Sequence, residues 1–342
     1  VERERLHWVD VAKASAVVLV VLYHVAITGM SVLTVGSNRV EAVLAALSAW
    51  LLPVRMPLFF LVSGLLSVGA LSRGWGAIAR PRILDHAWVF ALWTLLYAYP
   101  YAAAYNPQHL EATAVRAASW VVSLNGAYWY LPLLALFFVV SRLGRRVPLV
   151  MLALAAAADV LWPWVPLVGE GIVFDALFTL RRFLNFYLFF ALGAFARPLV
   201  ERWAKVPWWV LPLTVAAYVP IALEIYAPQR SAYRQPLTAV LSILGITFFL
   251  GASRLLAHLG GVRRLGAYLA ARTLPIYIFH PLLLALLIWL TPGLGKQGSL
   301  VSIWLVPLLV VLLTGAACLI YDLTRRWLPV LYRAPGRQTA AA

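Results

Sequence analysis

Three side chains able to do chemistry share one face of a helix near the start of the chain. In "WVDVAKASAVVLVVLYHVAI", residues 8–27, Lys13 and His24 are eleven positions apart. At about 100° per residue this is three turns plus roughly 20°, so both side chains leave the same face, about 16 Å apart along the axis. Asp10, three residues before Lys13, shares that face and can pair with the lysine. The stripe runs Asp10, Lys13, Val17, Val20, His24: charge at the rim and one titratable group at depth. Neutral imidazole is the side chain best poised to take a proton near neutral pH, so the pattern suits a cationic entrance leading to a buried general base.

The surroundings make the stripe costly. The chain has 342 residues, 63% hydrophobic and 12% charged, with mean hydropathy +0.87. No soluble protein of this length could bury that much apolar surface, so the sequence reads as an all-α polytopic membrane protein. Apolar runs fall near 9–33, 42–71, 83–104, 127–141, 147–165, 183–197, 207–227, 236–252, 273–292 and 301–323, which makes about ten transmembrane helices. With the N-terminus in the cytoplasm, the inner segments carry 20 of the 28 Lys and Arg residues. Both termini are therefore expected to be cytoplasmic, in a multi-pass protein of the inner (plasma) membrane. The net charge of +16 is explained by this topology, because the basic residues lie between apolar runs rather than on one soluble face. A nucleic-acid partner is not expected. The first run is longer than the apolar region of a cleaved signal and is read as a span. Residues 1–332 form one transmembrane domain and 333–342, "RAPGRQTAAA", a disordered tail. The segment 105–126 has the apolar spacing of a short helix lying on the membrane surface.

Further polar groups fall at membrane depth. "RMPLFFLVSGLL", residues 55–66, has Arg55 before Pro57, which is expected to break or kink the helix. Arg55 needs an anionic partner, and Ser63-Gly64 suits either a site or close helix packing. Arg80 and Arg82 open the third run, where beside Lys13 they would form a phosphate-binding cluster. Trp129 starts the fourth run as an interface aromatic, and His280 lies about 10 Å into the ninth. Cys318 is the only cysteine, which excludes an intramolecular disulfide and a cysteine-cluster metal site. Walker, HExxH, GxSxG and dinucleotide-binding motifs are absent. No His is followed by four spacers and an Asp, since His86 leads to Ala91. A transporter or lipid flippase is the alternative, because broken helices and midplane polar groups also serve transport.

Taken with their spacing, these residues resemble the integral-membrane acyltransferase 3 family of carbohydrate O-acetyltransferases. The hallmark is a basic residue, ten spacers and a His, here Lys13 and His24. "VDVAKASAVVLVVLYH" is similar to the fucose 4-O-acetylase-like branch, in which Lys replaces the more usual Arg. "RMPLFFLVSG", "RPRIL", "YWYLPLL", "YLFFALGAFA" and "IYIFHPLLL" resemble its later segments. The resemblance implies transfer of an acyl group, usually acetyl, from cytoplasmic acyl-CoA to a hydroxyl of a cell-envelope glycan or glycolipid. The donor is a co-substrate, and neither a bound cofactor nor a metal is implied. His24 would be the catalytic base with Asp10 orienting Lys13. Lys13, Arg80 and Arg82 would hold the CoA phosphates. Arg55, Ser63, Trp129 and His280 are candidates for oxyanion or acceptor contacts. A trehalose mycolate is one acceptor of the glycolipid class.

Overall fold

The computed structural model describes residues 6–29, 39–225, 234–291 and 299–336. Among them every regular element is helical. In chain order these are α1 (His7–Tyr23), running on as a π-helical turn (His24–Gly29), α2 (Arg39–Trp50), α3 (Leu52–Leu71) and α4 (Trp75–Ala79). A second π turn (Arg80–Leu84) leads into α5 (Asp85–Tyr105). A 3₁₀ turn (Pro107–Ala112) then precedes α6 (Thr113–Ser123), α7 (Tyr130–Leu143), α8 (Pro148–Leu161) and α9 (Gly171–Phe195). The remainder are α10 (Arg197–Trp203), α11 (Val210–Ile225), α12 (Arg234–Leu256), α13 (Gly260–Ala270), α14 (Thr273–Leu290) and α15 (Ser299–Thr324). Five helices are long and apolar enough to cross a membrane, six if α9 and α10, bent by 95°, count as one span. With three shorter apolar helices beside them, the chain is a multi-pass membrane protein.

α1 is the hub. It packs against α3, α12, α13, α14 and α15, and its buried residues (Trp8, Val9, Val11, Ala12, Ala14, Ala16, Val17, Val20, Val21) point in every direction. A helix apolar all round belongs inside the bundle. α3 is buried almost as fully and crosses α9 backbone to backbone. At that crossing a Cβ on Gly64 would stand 2.0 Å from the Phe190 carbonyl oxygen, and one on Gly193 2.1 Å from that of Leu61. Gly64 therefore serves close packing.

Several sequence expectations change in detail. Pro57 does not break its helix: α3 runs through it, and the chain turns earlier, at Leu51. Pro57 has no N–H to give the carbonyl four residues back, that of Pro53. The Ser242 hydroxyl on α12 donates to that carbonyl at 2.6 Å and restores the missing bond. The second expected run is thus two helices, α2 and α3. The sixth, expected to begin at 183, begins at Gly171. The segment 105–126 does contain a helix, α6, with Ala117, Trp120 and Ser123 on its buried face.

Part of the expected tail is held. The Ala334 N–H donates to Asp85 Oδ1 at 3.0 Å. Arg80 Nη2 donates to the carbonyls of Ala334 (2.6 Å), Pro335 (3.1 Å) and Gly336 (3.3 Å). Trp88 and Trp93 donate to Val330 and Leu331 just upstream, each at 2.8 Å. Residues 337–342 lie outside the described residues, as do Arg3, Arg5, Arg230, Lys296 and the expected run ends at 30–33, 226–227 and 292.

Candidate active site

His24 meets a second histidine. Its Nδ1 lies 2.9 Å from the Val20 carbonyl oxygen, one turn back on α1. His280 repeats the arrangement on α14, its Nδ1 2.9 Å from the Ile276 carbonyl oxygen. The two rings are joined by a 3.1 Å contact from His280 Nε2 to His24 Nδ1, between residues 256 apart in sequence. A carbonyl only accepts, so each Nδ1 carries the proton and His280 Nε2 keeps a lone pair. The His24 Nδ1–H is then shared between the Val20 carbonyl and His280 Nε2. That arrangement leaves His24 Nε2 unprotonated, in the tautomer that a general base requires. His280 is fully buried, and the π turn that begins at His24 sets the angle at which the first imidazole leaves α1.

Two cavities lie at the end of the bundle where α1 begins. One, about 420 Å³, is lined by Asp10, Arg73, Arg82 and Arg197 together with Leu65 and Gly69. The other, about 200 Å³, is lined by Lys13, Ser63, Arg82, His86, Tyr130 and Tyr277. Arg82 and Leu66 border both, so the cavities adjoin. Lys13 Nζ donates to the Ala270 carbonyl at 2.9 Å, at the C-terminal end of α13, which a cation stabilises. Arg197 also pairs with Glu201 at 2.7 Å. At the closed end the Ser63 hydroxyl donates to the Phe59 carbonyl (2.8 Å) and lies 2.6 Å from the Tyr130 hydroxyl. Tyr277 Oη accepts from the Tyr130 backbone N–H at 3.3 Å. The Tyr277 ring is 6.1 Å from that of His280, so the cavity stops one helical turn short of the histidines.

A third group of charges stands on the other side of the pair. The Arg55 guanidinium lies over the Tyr23 ring, 3.8 Å from its centroid, and within electrostatic reach of His24. Arg182 lies 4.3 Å from the centroids of both Trp129 and Phe178. It donates to Asn125 Oδ1 at 2.7 Å, and Asn125 Nδ2 donates to Asp175 at 2.7 Å. Trp129 therefore supports Arg182 and lines neither cavity.

Of the residues singled out in the sequence, Lys13, Ser63 and Arg82 share one cavity and Asp10 borders the next. His24 and His280 touch, and Arg55 faces them. Arg80 is turned to the C-terminal segment. Tyr277 and Arg197 were not singled out, and Tyr130 was read with Trp129 only as an interface aromatic. Tyr277 carried a signal, because it precedes His280 by three residues on one helix face; Arg197 carried none.

Comparison with known proteins sets this geometry in a family. Inner membrane protein YcfT of Escherichia coli (strain K12) is 28% identical over 177 residues, 46% of this chain and 49% of the relative. The chain thus spans about half the length of this curated relative. No solved structure matches. The profile of a family described as an acyltransferase domain matches residues 6–322, nearly the whole chain including the cavities and both histidines, so the protein belongs to the acyltransferase 3 family.

Proposed function

We propose that the protein is a membrane O-acyltransferase. It moves an acyl group, most simply acetyl, from acyl-CoA to a hydroxyl of a cell-envelope glycan or glycolipid. The observation that carries this reading is the His24–His280 pair one helical turn beyond a cation-lined cavity. In this reading the ten apolar segments span the plasma membrane with both termini cytoplasmic, which puts Lys13 and Arg82 on the side where acyl-CoA is available. Lys13, Arg73 and Arg82 hold the donor's phosphates, and the smaller cavity takes the pantetheine arm. Arg80 is left out of that set, since its guanidinium is engaged with the carbonyls of Ala334, Pro335 and Gly336. The thioester must pass the Tyr130–Tyr277 end of the cavity to reach His24.

The chemistry then follows from the tautomer. His24 Nε2 takes the acceptor's hydroxyl proton as its oxygen attacks the thioester carbonyl and the new C–O bond forms. The tetrahedral oxyanion needs hydrogen-bond donors; the candidates at the cavity end are the Tyr130 and Ser63 hydroxyls, whose protons go to Ser63 Oγ and the Phe59 carbonyl and must turn to the oxyanion. The C–S bond breaks and the thiolate leaves with the proton from His24, as free CoA thiol. A lipid-borne acceptor is favoured by an apolar cavity of about 390 Å³ lined by Leu22, Ala26, Trp50, Val54, Tyr218 and Phe248, which suits an acyl chain. A trehalose mycolate is one acceptor of that kind. The test is acetyl-CoA turnover by purified protein, read as free thiol, for wild type and His24→Ala. Release by wild type alone supports the reading. No release by either, even with glycolipid extract present, would favour the transporter or flippase alternative.

A further inference from the structure

A separate cavity of about 470 Å³ lies at the opposite end of α5 from Arg82, within the range typical of small-molecule sites, about 300–1,000 Å³. Its walls combine aromatic rings, Tyr101, Tyr105 and Trp120, with the polar groups of Asn106, His109, Thr113 and Arg116. The aromatic walls are braced. Tyr101 stands edge-on to Trp120 at 5.5 Å and lies 5.1 Å from Tyr105. Trp120 packs against Gly126, which has φ +85° and on which an added Cβ would stand 3.3 Å from the indole ring. Arg116 lies over the same indole at 5.3 Å. The Thr113 hydroxyl at the wall has no hydrogen-bond partner among the described residues.

We propose that this cavity is a saccharide subsite that holds a non-reacting part of the acceptor. Sugars present apolar C–H faces that lie on aromatic rings and a rim of hydroxyls that need amide, hydroxyl and guanidinium partners. This wall offers both. An alkyl chain would offer nothing to the Thr113 hydroxyl, and an inorganic anion would leave the Tyr101 and Tyr105 rings unused. The site is also remote from the chemistry. Trp93 contacts Phe279, next to His280, at 4.7 Å, and Tyr105 is twelve residues further along α5, about 18 Å by helical rise. Between them runs a line of rings, Tyr101 to Tyr97 (5.5 Å), Tyr128 (5.6 Å), Tyr277 (6.1 Å) and His280 (6.1 Å). A ligand that spans from the cavity to His24 is a glycan of several sugar units, and single sugars fill only one of the two places. What the bound glycan is for rests on the acyl-transfer reading; that it binds does not.

The test is retention of fluorescently labelled full-length protein in detergent on a printed array of bacterial envelope oligosaccharides and their component monosaccharides. Wild type is expected to be held by oligosaccharides more tightly than by monosaccharides. Tyr105→Leu should weaken retention by about three- to tenfold, the worth of one aromatic face. Tyr105→Phe, which keeps the ring, should restore it. Val115→Ser, on the exposed side of α6, should leave it unchanged, which separates loss of the site from loss of folding. Absence of retention on every glycan, or equal retention by wild type and Tyr105→Leu, would overturn the proposal. The two readings fail separately. Wild type that consumes acetyl-CoA but retains no glycan sinks the subsite alone, and wild type that retains glycans but consumes no donor sinks the acyl-transfer reading alone.

Discussion

Replacing His280 by Phe keeps an aromatic ring in a fully buried position and removes the acceptor that faces His24 Nδ1. With both imidazoles neutral, the 3.1 Å contact is an ordinary hydrogen bond of about 0.5–1.5 kcal/mol net. When His24 takes the acceptor proton it becomes an imidazolium, and the same bond becomes charge-assisted, about 1.5–3 kcal/mol. Only the difference between the two states affects the chemical step. Taking that as about 0.5–2 kcal/mol, kcat should fall roughly 2–30-fold in His280→Phe, with the donor KM nearly unchanged. His24→Ala removes the base itself and should cost about 10²–10⁴-fold. Because His280 acts through His24, the double variant should be no slower than His24→Ala alone. His280→Gln, whose amide oxygen can accept from Nδ1–H, should recover part of the rate. The assay is thiol release from acetyl-CoA with acceptor present, on preparations matched by size-exclusion profile. An unchanged kcat in His280→Phe, or losses that multiply in the double variant, would refute the positioning role.

Three further outcomes follow from the packing and the charges. Gly64→Ala should lower the melting temperature in detergent by several degrees or abolish folding, since its Cβ would stand 2.0 Å from the Phe190 carbonyl oxygen and overpacking typically costs about 1–3 kcal/mol. Arg82→Ala should raise the acyl-CoA KM with little change in kcat, in a salt-sensitive way, whereas Arg80→Ala should leave KM alone and expose the C-terminal segment to protease. Ser242→Ala should destabilise by about 1–3 kcal/mol by orphaning the Pro53 carbonyl, and adding Pro57→Ala, which returns a backbone N–H, should recover much of that loss in a thermal-melt cycle.

The stripe on α1 was legible because it depends only on helical period: Lys13, Val17, Val20 and His24 share a face whatever surrounds them. The apolar runs were legible by the same local logic, and a helix lies at each of them, though only five or six pass as spans on length and composition. Arg80 and Arg82 show a signal that was present and not used. Two residues apart on a helix is about 200°, so the pair cannot face one cavity, and Arg80 turns to the C-terminal segment while Arg82 lines both cavities. Pro57 shows a signal that misleads when read alone, because the group that compensates it, Ser242, is 189 residues away. The partnership of His24 with His280 is likewise a product of how α1 and α14 pack. Nothing local to either histidine names the other.

The central claim is that His24 Nε2 is the base for transfer of an acyl group to a hydroxyl. It is tested most directly by following isotope-labelled acetyl from acetyl-CoA into an alkali-labile ester on envelope glycan or glycolipid, using wild type and His24→Ala in reconstituted membranes. The account predicts labelled ester with wild type and a loss of about 10²–10⁴-fold with His24→Ala at equal protein incorporation. Equal labelling by both proteins would contradict it.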